Sequence, residues 1–382
     1  MQITFTDEEV MIQETAKQFA ESELKPNAEK VENPNERALF LSNIKKLSEL
    51  GFMGINVKDQ YGGIEAGSAA FSLAITELAR GCASTAVTTS VTNMVAEVIQ
   101  AVGNESQKQH YLPKICSGEY YAAGFCLTES SAGSDPSAMQ TKAVKEDDHY
   151  ILNGSKVFIT SAEYAGVFVV WAVTNPDAPR GKGISCFLVD STLDGISISK
   201  AEDKMGQKAS ATNEVNFVNC KVPQSALLGQ ENNGFKIAVT ELAGGRIGIA
   251  SLALGLGLEA LDYAKEYIKE RQQFGQPLAK FQGLQWMLAD RYTELEAARL
   301  LIMQAASNKD NNLPFATAAS MAKVFASEKA NDACYSALQL LGGAGYIKEY
   351  PLERLARDVR ITTIYEGTSE IQRLIIARDI LA

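Results

Sequence analysis

The sequence predicts an α+β chain of three parts: a helical domain, a central β domain and a second helical domain. Apolar residues recur at helical spacing through the first 118 residues. Short β-branched and aromatic runs broken by turns replace them until about residue 226, and long Ala/Leu/Glu/Arg-rich stretches then run to the end. At 382 residues the chain is too long for one ordinary core. We therefore divide it at 1–118, 119–226 and 227–382. No Gly-x-Gly-x-x-Gly follows a predicted strand, so the β part needs neither a parallel sheet nor a dinucleotide-binding fold.

Each part has its own signals. "MQITFT" is strand-like, and Thr6 is placed to cap "DEEVMIQETAKQFAESEL", with Val10, Ile12, Ala16 and Phe19 as its apolar stripe. "ALFLSNIKKLSELG" and "AAFSLAITELARGC" are two further helices, each ended by glycine. The β runs are "HYILNG", "SKVFIT", "GVFVVWAV", "GISCFLVD", "GISISK" and "EVNFVNCKVP", with Asn153-Gly154 expected as a hairpin turn. Two long helices follow, within "IGIASLALGLGLEALDYAKEYIKERQQF" and "FQGLQWMLADRYTELEAARLLIMQAASNK".

Composition narrows the function. The chain is 46% hydrophobic and 21% charged, as an average globular protein is. A net charge of −10 argues against a nucleic-acid partner, which needs clustered Lys and Arg. The six cysteines are scattered without a Cys-x-x-Cys pair, and His110 and His149 are the sole histidines, so no metal site is expected. No secretory segment, Arg-rich transit peptide or long apolar span is legible, so no membrane role is expected. The reducing cytoplasm is the default compartment, and a processed mitochondrial matrix protein would read the same.

Several stretches carry chemistry beside a plainer reading. In "FCLTESSAGSDPS" the loop N–H groups with Thr128 and Ser134 suit an anion or the polar edge of a ring; a solvated loop has the same composition. Phe158 and Thr160 stand two apart on a strand and share a face, suited to stacking on a flat heterocycle or to plain core. Arg246, among glycines, needs an acid or a ligand if it is buried. "ERQQFGQPLAKFQ" offers Arg271, Phe274 and Gln282 at a turn, and "LQLLGGAGY" is either a helix C-cap or a close backbone approach to a ligand. Glu366 is the oddity, one acid in the apolar stretch "RITTIYEGTSEIQRLIIA". Ser369 and Gln372 fit a capping box, so the dipole of the helix they start would favour the carboxylate while apolar neighbours oppose it. Opposed effects of that kind poise a general base near neutral pH, although an ordinary acid ahead of a helix looks alike.

Taken together, "TESSAGSD", "NGSKVFIT", "MGQKASAT", "AGGRIGIAS", "ERQQFGQPLAKFQ", "LQLLGGAGY" and "RDVRITTIYEGTSEIQR" resemble the acyl-CoA dehydrogenase family, in its order and spacing over nearly the whole chain. The short-chain, butyryl-type members are the most similar. The resemblance implies a helical domain, a barrel-like or sandwich β domain and a C-terminal four-helix bundle. It further implies non-covalent FAD, an acyl-CoA substrate, electron-transfer flavoprotein as acceptor, and a homotetramer. Glu366 matches the base that removes the α-proton, with the β-hydrogen leaving as hydride to the flavin. Phe125, Leu127, Thr128, Gly133, Ser134, Phe158, Ile159 and Thr160 match flavin and pyrophosphate contacts. Arg271, Phe274, Gln282, Gln339, Leu340, Leu341, Gly342 and Gly343 match contacts to the FAD of a neighbouring subunit, and Thr368, Ser369 and Glu370 further FAD contacts. Ser134, Ala243, Gly244, Gly245, Arg246 and Gly367 match the substrate-binding positions.

Gly245 narrows the branch, because isovaleryl- and long-chain-type members carry the base at that position. A single-base enzyme that converts a short- to medium-chain acyl-CoA to the trans-2-enoyl-CoA follows, and a 2-methyl-branched-chain acyl-CoA dehydrogenase, an enoyl-CoA reductase or a flavin oxidase on the same fold are the alternatives. Three departures from the family pattern bear on ligand binding: Ser130-Ser131 for Pro-Gly, Phe158 for Trp, and Ala243 for Asp.

Overall fold

The computed structural model describes residues 4–382. Of the strand-like opening hexapeptide, residues 1–3 lie outside the described residues and 4–6 form no strand. Thr6 caps α1 (Asp7–Phe19) through a reciprocal capping box: its Oγ1 accepts from the Glu9 N–H at 3.2 Å, and its own N–H donates to Glu9 Oε2 at 2.7 Å. Ile12, Ala16 and Phe19 are buried, whereas Val10 is 44% exposed and off the stripe. α2 (Arg37–Glu49) follows, then α3 (Gly67–Gly81), α4 (Ala83–Val102) and α5 (Glu105–Cys116). Gly81 serves packing rather than termination. A Cβ there would lie 2.8 Å from Leu24, and Cys82 alone separates α3 from α4.

The β strands are β1 (Ala122–Cys126), β2 (Lys142–Glu146), β3 (His149–Thr160), β4 (Ala165–Val173), β5 (Ile184–Asp190), β6 (Ile196–Ile198), β7 (Thr212–Pro223) and β8 (Leu227–Leu228). They connect in the order β6-β7-β3-β2-β4-β5-β8, with β1 added on β4. The β1–β4 pairing is parallel, which the alternation of runs and turns did not suggest. The β2–β3 hairpin lies between these two strands in the chain and makes the crossover possible.

The hairpin turn expected at Asn153-Gly154 is absent. β3 runs through both residues, and the turn falls at Asp147-Asp148, between paired Glu146 and His149. At Gly154 the register with β7 shifts, φ is +148°, and a Cβ would sit 2.5 Å from Thr141 Oγ1. The Asn-Gly pair therefore marks a bulge pressed against a neighbour. β4 reads as an unbroken apolar run because both of its faces are covered. Val167, Val169 and Trp171 meet the core shared with α4 and α5, and Phe168 and Val170 meet Phe187, Val215 and Phe217 on the other side.

The C-terminal part comprises α6 (Gly234–Glu270), the hairpin β9 (Gln272–Gln273) and β10 (Gln276–Pro277), α7 (Gln282–Asp310), α8 (Ala316–Leu341), α9 (Leu352–Arg360) and α10 (Ser369–Ile380). α6 is long and apolar enough to cross a membrane, but 72% of its most apolar window is buried inside the protein. It packs on α7 and α8 and also on α3 and α4. The two helical parts, far apart in sequence, thus share one apolar core running from Ile12 to Val359. All six cysteines are buried and unpaired.

Candidate active site

Two of the stretches singled out in the sequence are clamped together. Lys156 on β3 is 0% exposed, and its Nζ donates to Glu129 Oε1 at 2.7 Å and to the Leu127 carbonyl at 3.2 Å. Glu129 also accepts from the N–H groups of Gln140 and Thr141, at 2.6 and 3.0 Å. Burial pushes Glu129 up, but Lys156 and these donors outweigh it and hold the carboxyl below its ordinary value. The Val157 N–H donates to the Thr128 carbonyl at 2.9 Å, completing the clamp. The loop carrying Thr128, Gly133 and Ser134 is thereby fixed against the end of β3, with Gly133 and Ser134 exposed.

The end of β3 is itself unusual. Phe158 has φ +58° and is 67% exposed, and Ser161 has φ +60°, so two side-chain-bearing residues occupy the left-handed region within four positions. Ile159 between them is buried in the sheet core, so its backbone alone can face a ligand. Hydroxyls of α4 support this strand end. Thr88 Oγ1 lies 3.0 Å from both Ser161 Oγ and Ser210 Oγ, and Ser84 Oγ accepts from the Ala209 N–H at 3.2 Å.

Glu366 lies in a turn with φ +55°, followed by Gly367 at φ +90°. Its Oε2 is buried with no hydrogen-bond partner. A Cβ at Gly245 on α6 would come within 2.9 Å of that oxygen and 2.6 Å of Met94 Sδ on α4, so the carboxylate faces α6. Burial pushes its pKa up to about 7 against the pull of Arg246 and then Lys323.

The expected support from the helix terminus is not what holds this charge. Thr368, not Ser369, caps α10, its Oγ1 accepting from the Ile371 N–H at 3.3 Å. Gln372 does not reach back into a capping box. Its Nε2 donates to the carbonyls of Glu366 and Gly367, at 3.1 and 2.9 Å. The left-handed turn carries Glu366 away from the helix start to the two buried cations. Arg246 is one of them: its Nη1 donates to Ser320 Oγ at 3.4 Å, and its Nε is unpartnered. The other is Lys323, which the sequence did not single out, and which donates to the Gly367 carbonyl at 2.7 Å.

The remaining predicted residues fall into two groups. Gly245 is buried beside this site, Ala243 is buried two positions earlier on α6, and Gly244 faces the Glu97–Lys309 ion pair, since a Cβ on it would lie 3.2 Å from Lys309 Nζ. Arg271, Phe274 and Gln282 instead stand exposed around the β9–β10 hairpin. Phe274 and Gly275 are both left-handed, the mark of a type I′ turn, and Phe274 is 92% exposed. Gln339, Gly342 and Gly343 are exposed at the end of α8, while the side chains of Leu340 and Leu341 are buried. By helix rise, Arg271 lies about 38 Å along α6 from Arg246.

These surfaces fit a flat, phosphate-bearing cofactor. Exposed aromatics held in strained backbone suit stacking, with Thr128, Ser134 and Thr160 as hydroxyl donors. Nothing lies within 4 Å of where a Cβ would stand on Gly133, Gly275, Gly342 or Gly343, so their backbones are open to close approach.

Comparison with known proteins agrees with this geometry. The chain matches the acyl-CoA dehydrogenase N-terminal domain over residues 6–119, the middle domain over 124–220 and the C-terminal domain over 232–381. It belongs to the acyl-CoA dehydrogenase family. It is 44% identical, over the whole of both chains, to the short-chain specific acyl-CoA dehydrogenase of Clostridium acetobutylicum. Butyryl-CoA dehydrogenase from Megasphaera elsdenii superposes with a TM-score of 0.95 at 39% identity, all of each chain being covered. A chain in a structure of the electron transferring flavoprotein of Acidaminococcus fermentans gives 0.96 at 42%, again over all of both chains. An acyl-CoA dehydrogenase from Bacillus anthracis complexed with FAD gives 0.93 at 32%, covering 99% of this chain and 67% of that one. Within this family the resemblance read from the sequence holds for the fold and the enzyme class.

Proposed function

We propose that this acyl-CoA dehydrogenase oxidises short-chain acyl-CoA thioesters to trans-2-enoyl-CoA, with Glu366 as the base. The observation that carries it is the Glu366 carboxylate, whose Oε2 is buried and free beside Gly245 and whose pKa stands at about 7. A base must be unprotonated to act, so the rate rises with pH through about 7. Glu366 takes the α-proton on its carboxylate, and Arg246 and Lys323 favour the ionised form against burial. The Glu366 N–H donates to no group among the described residues and is free to hold the thioester oxygen as negative charge develops there. Bound FAD would supply the hydride acceptor for the β-hydrogen.

Phe125, Leu127, Thr128, Gly133, Ser134, Phe158, Thr160 and the Ile159 backbone hold the flavin and its pyrophosphate from one subunit, with Thr368, Ser369 and Glu370. Arg271, Phe274, Gln282 and the 339–343 segment hold the FAD of a second copy, as the resemblance implies; Arg271 lies about 38 Å along α6 from Arg246, far from the base of its own chain. Ser134, the 243–246 segment and Gly367 hold the CoA thioester. The assembly is a homotetramer, electrons pass to electron-transfer flavoprotein, and the protein works in the cytoplasm.

Chain length is supported by the packing next to the base. One turn beyond Gly245, a Cβ on Gly248 would lie 2.3 Å from Ser90 Oγ and 3.3 Å from the Phe71 ring, so α4 and α6 close on each other. Close packing of this kind beside the base suits a short acyl chain. The test is anaerobic bleaching of the yellow holoenzyme by acyl-CoA thioesters of increasing length. Butyryl-CoA should reduce it fastest, and a protein bleached only by long-chain thioesters would overturn the reading.

A further inference from the structure

Lys323 sits two turns into α8 and is 0% exposed. Burying a lysine costs several kcal/mol unless its charge is used, and an apolar residue would fill the same helix position more cheaply. Its ammonium has three N–H groups, yet one acceptor is found for it, the Gly367 carbonyl at 2.7 Å. Gln372, also fully buried, adds two bonds to the carbonyls of Glu366 and Gly367. Two buried side chains from α8 and α10 are thus committed to the backbone of one left-handed turn. Neither occupies Glu366 Oε2, which stays without a partner.

We propose that Lys323 is a positioning residue of the reaction: its ammonium anchors the Gly367 carbonyl, fixing the Glu366 turn, and acts on the carboxylate through space as a second cation beside Arg246. This rests on Glu366 being the base. A direct ion pair would block the oxygen that must accept the proton; an ammonium held on the neighbouring carbonyl favours the ionised carboxylate and leaves the oxygen free. Other groups act on the same carboxylate or on Lys323 from each packed element. Arg246 stands on α6, Glu328 on α8, Glu370 on α10, and Tyr365 adjoins with Asp358 of α9 behind it. α4 brings Met94 and, one turn on, Glu97, which is paired with Lys309 against Gly244. Glu241 of α6, pushed up to about 7 by burial and by Glu97, stands near that pair. All of these remain when Lys323 alone is changed.

Removing a nearby positive charge makes a carboxylate harder to ionise. In K323M the pH midpoint of flavin reduction by butyryl-CoA should therefore move up by about one unit, slowing reduction about fivefold near pH 7. K323R, which keeps the charge, should hold the midpoint near that of the parent protein. Crotonyl-CoA affinity, measured by calorimetry in the same variants, should show the same displaced pH dependence. A folded, FAD-loaded K323M with an unmoved midpoint and only a lowered melting temperature would reduce Lys323 to a structural role. Failure of K323M, K323Q and K323R alike to fold and load FAD would have the same meaning. If the parent holoenzyme itself is not bleached by any acyl-CoA, the functional reading fails instead, so the two failures are told apart.

Discussion

Two glutamates, Glu129 buried and Glu366 half-buried with a buried Oε2, each lie near a fully buried lysine and are built in opposite ways. Glu129 is saturated, with Lys156 and two backbone N–H groups on its carboxylate, and its pKa is held below the ordinary value. Glu366 has Arg246 and Lys323 nearby, but Oε2 is bare and the pKa stands at about 7. In the first cluster the lysine bonds the acid; in the second it bonds the carbonyl of the next residue. A saturated acid fixes a loop and has no capacity left for a proton. An acid with cations near it but not on it keeps that capacity.

Substitutions should separate the two clusters cleanly. The largest effect is expected from E366Q, which keeps shape and FAD but removes the proton acceptor. Flavin reduction should fall by about 10³-fold or more with the melting temperature nearly unchanged, as rapid-mixing absorbance will show. K156M should do the reverse. It leaves Glu129 buried without its cation, costing about 3–5 kcal/mol in denaturant unfolding, with FAD lost from the released loop. The double variant E129Q/K156M, with no buried charge left, should recover much of that stability; no recovery would mean that Lys156 acts by packing alone. G245A is the mildest. Its methyl meets Met94 Sδ and Glu366 Oε2, and Met94 is flexible enough to yield. We expect about a tenfold slower reduction and a loss of about 1–2 kcal/mol, read by stopped flow and by thermal melting.

Much of the fold was legible because helical and alternating apolar patterns are local. Thr6 announced the start of α1 through adjacent residues alone, and Glu9 completes the capping box there. Asn153-Gly154 misled because the same dipeptide serves a tight turn and a bulge, and Thr141, distant in sequence, decided between them. Glu366 stood out as an acid among apolar neighbours, but what tolerates its charge did not. Lys323 lies in an Ala-rich helix where a lysine ordinarily marks a solvated face, and burial by α10 is a tertiary fact. Lys156 was hidden in the same manner, inside a strand whose alternation gave no hint of an acid across the loop. The hydroxyls of α4 were equally silent, since Ser and Thr in an apolar helix carry no signature until a strand end rests on them.

The length of α6 has a consequence for how the protein fills with cofactor. On the proposed assembly each copy carries the catalytic half of one cavity and, about 38 Å away along the same rigid rod, the other half of a different one. Neither half is complete in a lone subunit. Association and cofactor uptake then reinforce each other by mass action, so diluting the subunits should release flavin and adding flavin should draw dissociated subunits together.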